Sequence, residues 1–108
     1  LVRFVEQEQA IPRGALPDAL REIIAMVDRE GHRVSFPVEV RFTASDDAAL
    51  STAYKRESAY IAVHMAKGVA HERYFDAVDA ILRRYDARPQ GLAKPNDFTL
   101  LTGFTVDF

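Results

Sequence analysis

Between Arg33 and Thr43 the chain alternates without a break. Val34, Phe36, Val38, Val40 and Phe42 fall on one side of an extended backbone, and Ser35, Pro37, Glu39, Arg41 and Thr43 fall on the other. Period-two alternation of β-branched and aromatic residues predicts a strand with one buried face. Pro37 has no N–H for a ladder, so it marks an edge, a bulge or a strand start. Arg3–Ile11 reads as a weaker strand, with Phe4, Glu6, Glu8 and Ala10 on one face and Val5, Gln7, Gln9 and Ile11 on the other. Ser58–Ala66 reads as a third, with Tyr60, Ala62, His64 and Ala66 opposite Ile61, Val63 and Met65.

Two helices interrupt this pattern. Pro12 and Gly14 end the first strand, and Pro17 suits the first helical turn, with Asp18 at the positive end of the dipole. Leu16, Leu20, Ile23, Ile24 and Val27 recur at helical spacing, and Gly31 is the expected stop. After Lys67-Gly68, Tyr74, Phe75, Val78, Ile81, Leu82 and Tyr85 form a second apolar stripe. Ala44–Lys55 is a polar connection with a short helical turn expected at Asp47–Leu50. The tail carries Pro89, Gly91 and Pro95 before a further strand from Phe98, in which Phe104, Val106 and Phe108 alternate. The order strand, helix, strand, strand, helix and a final strand predicts an α+β sandwich, an antiparallel sheet with two helices on one face. It matches the ferredoxin-like βαββα(β) arrangement.

Composition narrows the function classes. The 108 residues allow one domain with one modest core. Fourteen basic residues against sixteen acidic ones give a net charge of −2 with no basic stripe, so no nucleic-acid partner is expected. Having no cysteine excludes disulfides, thiolate metal sites and a cysteine nucleophile, and it fits a reducing compartment. No apolar run approaches the roughly 20 residues that span a bilayer, and no secretory leader is evident. A cytoplasmic location is expected. The start at Leu1 reads as a chain that begins inside something larger.

The strand patterns also say where chemistry could lie. If the apolar face of the Arg33–Thr43 strand meets the helices, Glu39, Arg41 and Thr43 face away from them. His64 then adds an imidazole to the same face if its strand is oriented alike. Two readings stay open: a solvated antiparallel face with surface charges, or a wall whose guanidinium and carboxylate bind a polyol or lactone. Glu6 and Glu8 read as exposed charges, His32 as a structural residue at a helix end, and Tyr74, Phe75 and Tyr85 as core. His71 and Glu72 have no partners at metal-ligand spacing, so no metal site is expected. No glycine-rich phosphate loop or nucleophile elbow is present.

Four stretches resemble one known family in the right order. Arg3-Phe4-Val5-Glu6-Gln7-Glu8-Gln9-Ala10-Ile11-Pro12-Arg13 resembles its Arg-Phe-x-Glu-x-Glu-Tyr-Ala-aliphatic-Pro-Arg run, with Gln9 in place of the tyrosine. Phe36-Pro37-Val38-Glu39-Val40-Arg41, Leu50-Ser51-Thr52-Ala53-Tyr54-Lys55-Arg56-Glu57 and Tyr60-Ile61-Ala62-Val63-His64 resemble three further motifs. The family is that of the D-arabinono-1,4-lactone oxidases and L-gulonolactone oxidases and dehydrogenases, with related forms in alditol oxidases.

The resemblance implies a two-part flavoprotein. An N-terminal domain binds FAD, and a C-terminal domain, matched by residues 1–89, shapes the pocket for a sugar lactone or polyol. It implies oxidation of a CH–OH group with hydride transfer to flavin N5. Glu39 and Arg41 would face the substrate hydroxyls, His64 would be a substrate-side residue, and Lys94 would stand near the family's flavin-side lysine. Residues 90–108 depart from the family, since Gln90-Gly91-Leu92-Ala93-Lys94 follows Arg88-Pro89 where His-Trp-Gly-Lys is usual. A frameshifted or truncated reading frame would account for this tail. The missing FAD-binding domain is then the expected partner, the fragment alone is expected to be inactive, and its open sheet face invites self-association. The resemblance also implies peripheral membrane association for full-length relatives. The alternative is a stand-alone ferredoxin-like module that binds a ligand or dimerises without catalysis.

Overall fold

The computed structural model describes residues 4–45, 56–89 and 100–106. It is an α+β structure built from β1 (Phe4–Pro12), α1 (Leu16–Glu30), β2 (Val38–Thr43), β3 (Ser58–Ala66), α2 (Glu72–Arg83), β4 (Arg88–Pro89) and β5 (Leu100–Val106). A 3-10 turn, Arg13–Ala15, joins β1 to α1. The strands form one sheet in the order β4-β1-β3-β2-β5. Every pairing is antiparallel, and β1 runs beside β3 from Phe4↔Ala66 to Pro12↔Ser58.

One face of the sheet carries the core. Ile11, Val38, Val40, Ala59, Ile61, Val63 and Met65 pack with Leu16, Ala19, Ile23, Met26 and Val27 of α1 and with Tyr74, Phe75, Val78, Ile81 and Leu82 of α2. Burying each large apolar side chain contributes about 1.5–3 kcal/mol, which is why alternation and helical spacing select these elements. The α2 stripe is the expected one. On α1 the stripe rotates: Ala19 and Met26 are buried while Ile24 is exposed. Ile23 and Ile24 lie about 100° apart on a helix, and Ile24 falls just outside the arc that Ala19, Ile23, Met26 and Val27 bury.

Two polar side chains of β1 share the helix-facing side. Gln7 donates to the Phe75 carbonyl (3.2 Å), and Gln9 donates to Asp79 Oδ1 (2.8 Å). Gln9 thus docks α2 onto β1 through a bond a buried amide needs. Helix α1 ends at Gly31, whose φ of 67° is left-handed and whose N–H reaches the Val27 carbonyl. This is the conformation in which glycine carries no Cβ penalty.

The second strand is shorter than expected. It begins at Val38, immediately after Pro37, so residues 33–37 approach the sheet without joining it. Phe36 leaves the helix side and packs on Phe4, 5.6 Å between ring centres. The expected final strand is described over Leu100–Val106 and pairs with β2 through Val38↔Val106 and Arg41↔Gly103, while Phe98 lies outside the described residues. The turn expected at Asp47–Leu50 lies outside the described residues. Among the described residues no helix is long and apolar enough to cross a membrane.

Candidate active site

The face of the sheet turned away from the helices is assembled by register. Glu8 and Glu39 both stand opposite Ala62, while Ala10 and Arg41 both stand opposite Tyr60. Residues directly opposite in antiparallel strands share a face. Strands lie about 4.8 Å apart, so β1 and β2 are separated by roughly 10 Å with β3 between them. An arginine is long enough to cross that gap, and Ala62 is small enough to let it pass.

Arg41 makes this crossing. Its guanidinium lies over the Tyr60 ring, 5.5 Å from the ring centre, and its Nη2 pairs with Glu8 Oε1. Its Nε faces Glu39 Oε1 at 3.9 Å, an ion pair at the edge of the distance range. The Glu8 side chain is 11% exposed, Arg41 27% and Glu39 47%. One carboxylate is therefore largely covered and the other is open to solvent. Beneath them Tyr60, Ala10, Ala62, Thr43 and Ser58 are buried, so this face is not simply wet.

His64 lies on the same face, two residues along β3 from Ala62. Its Nε2 is 3.7 Å from Glu6 Oε1, and its ring meets Phe4 edge-on at 5.2 Å. The structure thus brings Glu39, Arg41 and His64 onto one face, as alternation predicts. It adds Glu8, which sequence reading assigned to exposed charge. The signal for Glu8 was its place on the same β1 face as Ala10, but its partner depended on a register across two strands. Lys94 lies outside the described residues.

A second arginine fixes the rim. Arg56 donates from Nη2 to the Ala10 carbonyl (2.8 Å) and from Nη1 to both the Asp86 carbonyl (2.8 Å) and its carboxylate (3.1 Å). Burial lowers its pKa from the ordinary arginine value, and Arg88 adds to this. Asp86 carries a positive φ of 59°, a conformation that aspartate tolerates better than most residues. Arg56 belongs to one of the motifs noted above and acts here as a tie between β1, β3 and the end of α2.

The remaining polar residues serve local structure. His71 rests its ring on Phe75 (4.9 Å between centres), and its backbone N–H donates to Glu72 (3.1 Å). Backbone N–H groups hold the Glu72 carboxyl below the usual carboxylate range. The start of α2 is therefore occupied by the chain's own carboxylate. Helix α1 opens on Leu16-Pro17, and Pro17 lacks an N–H. Neither helix start is free to cradle a dinucleotide's phosphates. The described residues do not by themselves fit FAD. On the sheet face Arg41 supplies N–H donors and Glu39 a carboxylate acceptor. Among the described residues no three His, Cys, Asp or Glu side chains converge.

Fold and face together define an α+β domain with one packed side and one polar side built around a clamped guanidinium. Comparison with known proteins gives that domain its family. The model of the D-arabinono-1,4-lactone oxidase family matches residues 1–95. The L-gulono-1,4-lactone dehydrogenase of Mycobacterium tuberculosis is 50% identical over 88 residues, covering 82% of this chain and 21% of that protein. The L-gulonolactone oxidases of Mus musculus and Bos taurus are each 38% identical, covering 77% of this chain and 20% of theirs. No solved structure matches the chain. The chain belongs to the D-arabinono-1,4-lactone oxidase family. It spans about a fifth of the length of these curated relatives.

Proposed function

We propose that this chain is the substrate-side domain of an FAD-linked oxidoreductase that oxidises a CH–OH group of an aldonolactone or sugar alcohol. The observation that carries the reading is the arrangement of Arg41 between Glu8 and Glu39 on the sheet face turned away from the helices. Arg41 donates to hydroxyl or lactone oxygens, and the more open Glu39 accepts from a hydroxyl and orients it. His64 lies at the end of the same face and borders the sugar. A flavin held by the rest of the protein would supply the hydride acceptor, and Arg41 and Glu39 of this chain would hold and orient the hydroxyl being oxidised. Binding and orientation fall to this chain, and the cofactor's phosphates fall to the rest of the protein, which is the partner proposed here. The strand order β4-β1-β3-β2, with β5 added at the edge, supports a ferredoxin-like frame.

The test is complementation. The chain is mixed with a separately produced FAD domain of a relative, and flavin reduction is followed with an aldonolactone and with a polyol. The expected outcome is lactone- or polyol-dependent reduction that falls about a hundredfold or more in Arg41→Ala, the loss typical of a displaced orienting group. A folded chain that supports no reduction, or an Arg41→Ala variant as active as the parent, would overturn the reading.

A further inference from the structure

We infer that Glu8 is the positioning residue of the ligand face: its carboxylate holds Arg41 across β3 and sets both the direction and the net charge that the guanidinium presents. This rests on the reading of Arg41 as a ligand-binding residue. Three observations carry it. Glu8 is the least exposed charged side chain of the Glu8–Arg41–Glu39 group. Its Oε1 is covered and makes no hydrogen bond among the described residues, and the Arg41 guanidinium is its ion-pair partner. The register also places Ala62 between the two, with Tyr60 as the floor on which the guanidinium rests.

The arrangement has a chemical consequence. A flexible arginine stem with an unanchored fork would sample several rotamers, and a planar fork is most selective when one edge is fixed. Glu8 fixes the inner edge of the fork, and the Arg41 Nε side lies beside Glu39. It also offsets the positive charge. Among the described residues Glu6, Glu8 and Glu39 share this face with Arg41, Arg88 and His64, so Glu8 cancels part of the positive charge and a neutral hydroxylated ligand is favoured over an anionic one. Glu8 therefore selects the closed, uncharged lactone or polyol over the ring-opened aldonate.

The test uses a chimeric holoenzyme in which this chain's matching 88 residues replace those of the mycobacterial dehydrogenase. Glu8→Gln, nearly identical in shape, is compared with Arg41→Ala and the double variant. If Glu8 acts through Arg41, Glu8→Gln raises KM about tenfold or more with a smaller change in kcat, because an oriented donor has been released. It also strengthens inhibition by the aldonate relative to lactone binding, and the double variant is no worse than Arg41→Ala. Glu8→Asp restores part of the lactone KM. If Arg41→Ala is itself silent, the ligand-wall reading fails and this inference with it. An impaired Arg41→Ala beside a silent Glu8→Gln, or additive losses in the double variant, overturns the role of Glu8 alone.

A second measurement needs no activity. In the 108-residue chain, NMR of the Arg41 side chain is expected to show resolved, slowly exchanging guanidinium protons that average together in Glu8→Gln. Averaged signals in the parent chain would overturn the clamp.

Discussion

Tyr74 gives the sharpest test of the core. It is only 3% exposed, it packs beside Phe75 and His32, and its hydroxyl has no hydrogen-bond partner among the described residues. An unsatisfied buried hydroxyl costs about 1–3 kcal/mol, so Tyr74→Phe, which keeps the ring and removes the oxygen, is expected to stabilise the chain at neutral pH by about that amount. The same burial pushes the phenol from 10.0 up to about 12. A folded pKa above the unfolded one gives stability that is complete below the unfolded value and lost as pH rises through the folded value. Two units at about 1.4 kcal/mol each then cost the parent about 2–3 kcal/mol between pH 10 and pH 12, a loss Tyr74→Phe does not share. Urea unfolding of both proteins across neutral and alkaline pH measures the difference, and tyrosinate absorbance follows the ionisation. A Phe variant less stable than the parent at pH 7, or a gap between the two that stays constant into alkali, would refute the reasoning.

Two further outcomes follow from the helices. Glu22 on α1 accepts from the Tyr85 hydroxyl and from Arg84 near the end of α2, and these bonds hold its carboxyl below its ordinary value of 4.5. Glu22→Gln is therefore expected to unfold more easily than the parent at neutral pH, with the difference vanishing as acid protonates Glu22 in the folded state. A difference that persists in acid would break the link. Gly31→Ala is expected to lower stability by about 1–2 kcal/mol, since the added Cβ meets no atom within 4 Å yet φ stays at +67°. Thermal unfolding would show it, and an unchanged midpoint would mean the helix ends by another route.

The legibility of the chain varies with the range of the interaction. The three central strands, both helices, the Gly31 stop and the two-faced sheet were readable because each rests on spacing within one segment. Errors arose where a neighbour in space decided the outcome. Val34 and Phe36 fit the alternation of the second strand, but Pro37 denies the ladder a donor, and Phe36 turns to meet Phe4. Ile24 has helical spacing, yet the sheet lies under Met26 and Ala19 instead.

The candidate site divides in the same way. Period two placed Glu39, Arg41 and Thr43 on the face away from the helices, and the motifs named the family before any fold was known. Neither could say that Glu8, thirty-three positions before Arg41, would hold its guanidinium. Alternation gives the face a residue points to, a property of one strand. The partner it meets there depends on the order β1-β3-β2 and on the register that sets Glu8 and Glu39 on either side of Ala62. The amino-acid sequence determined the elements, their faces and the family. The tertiary structure alone turned a surface glutamate into the largely covered counter-ion of Arg41, because strand pairing fixes distances between residues that no local pattern relates.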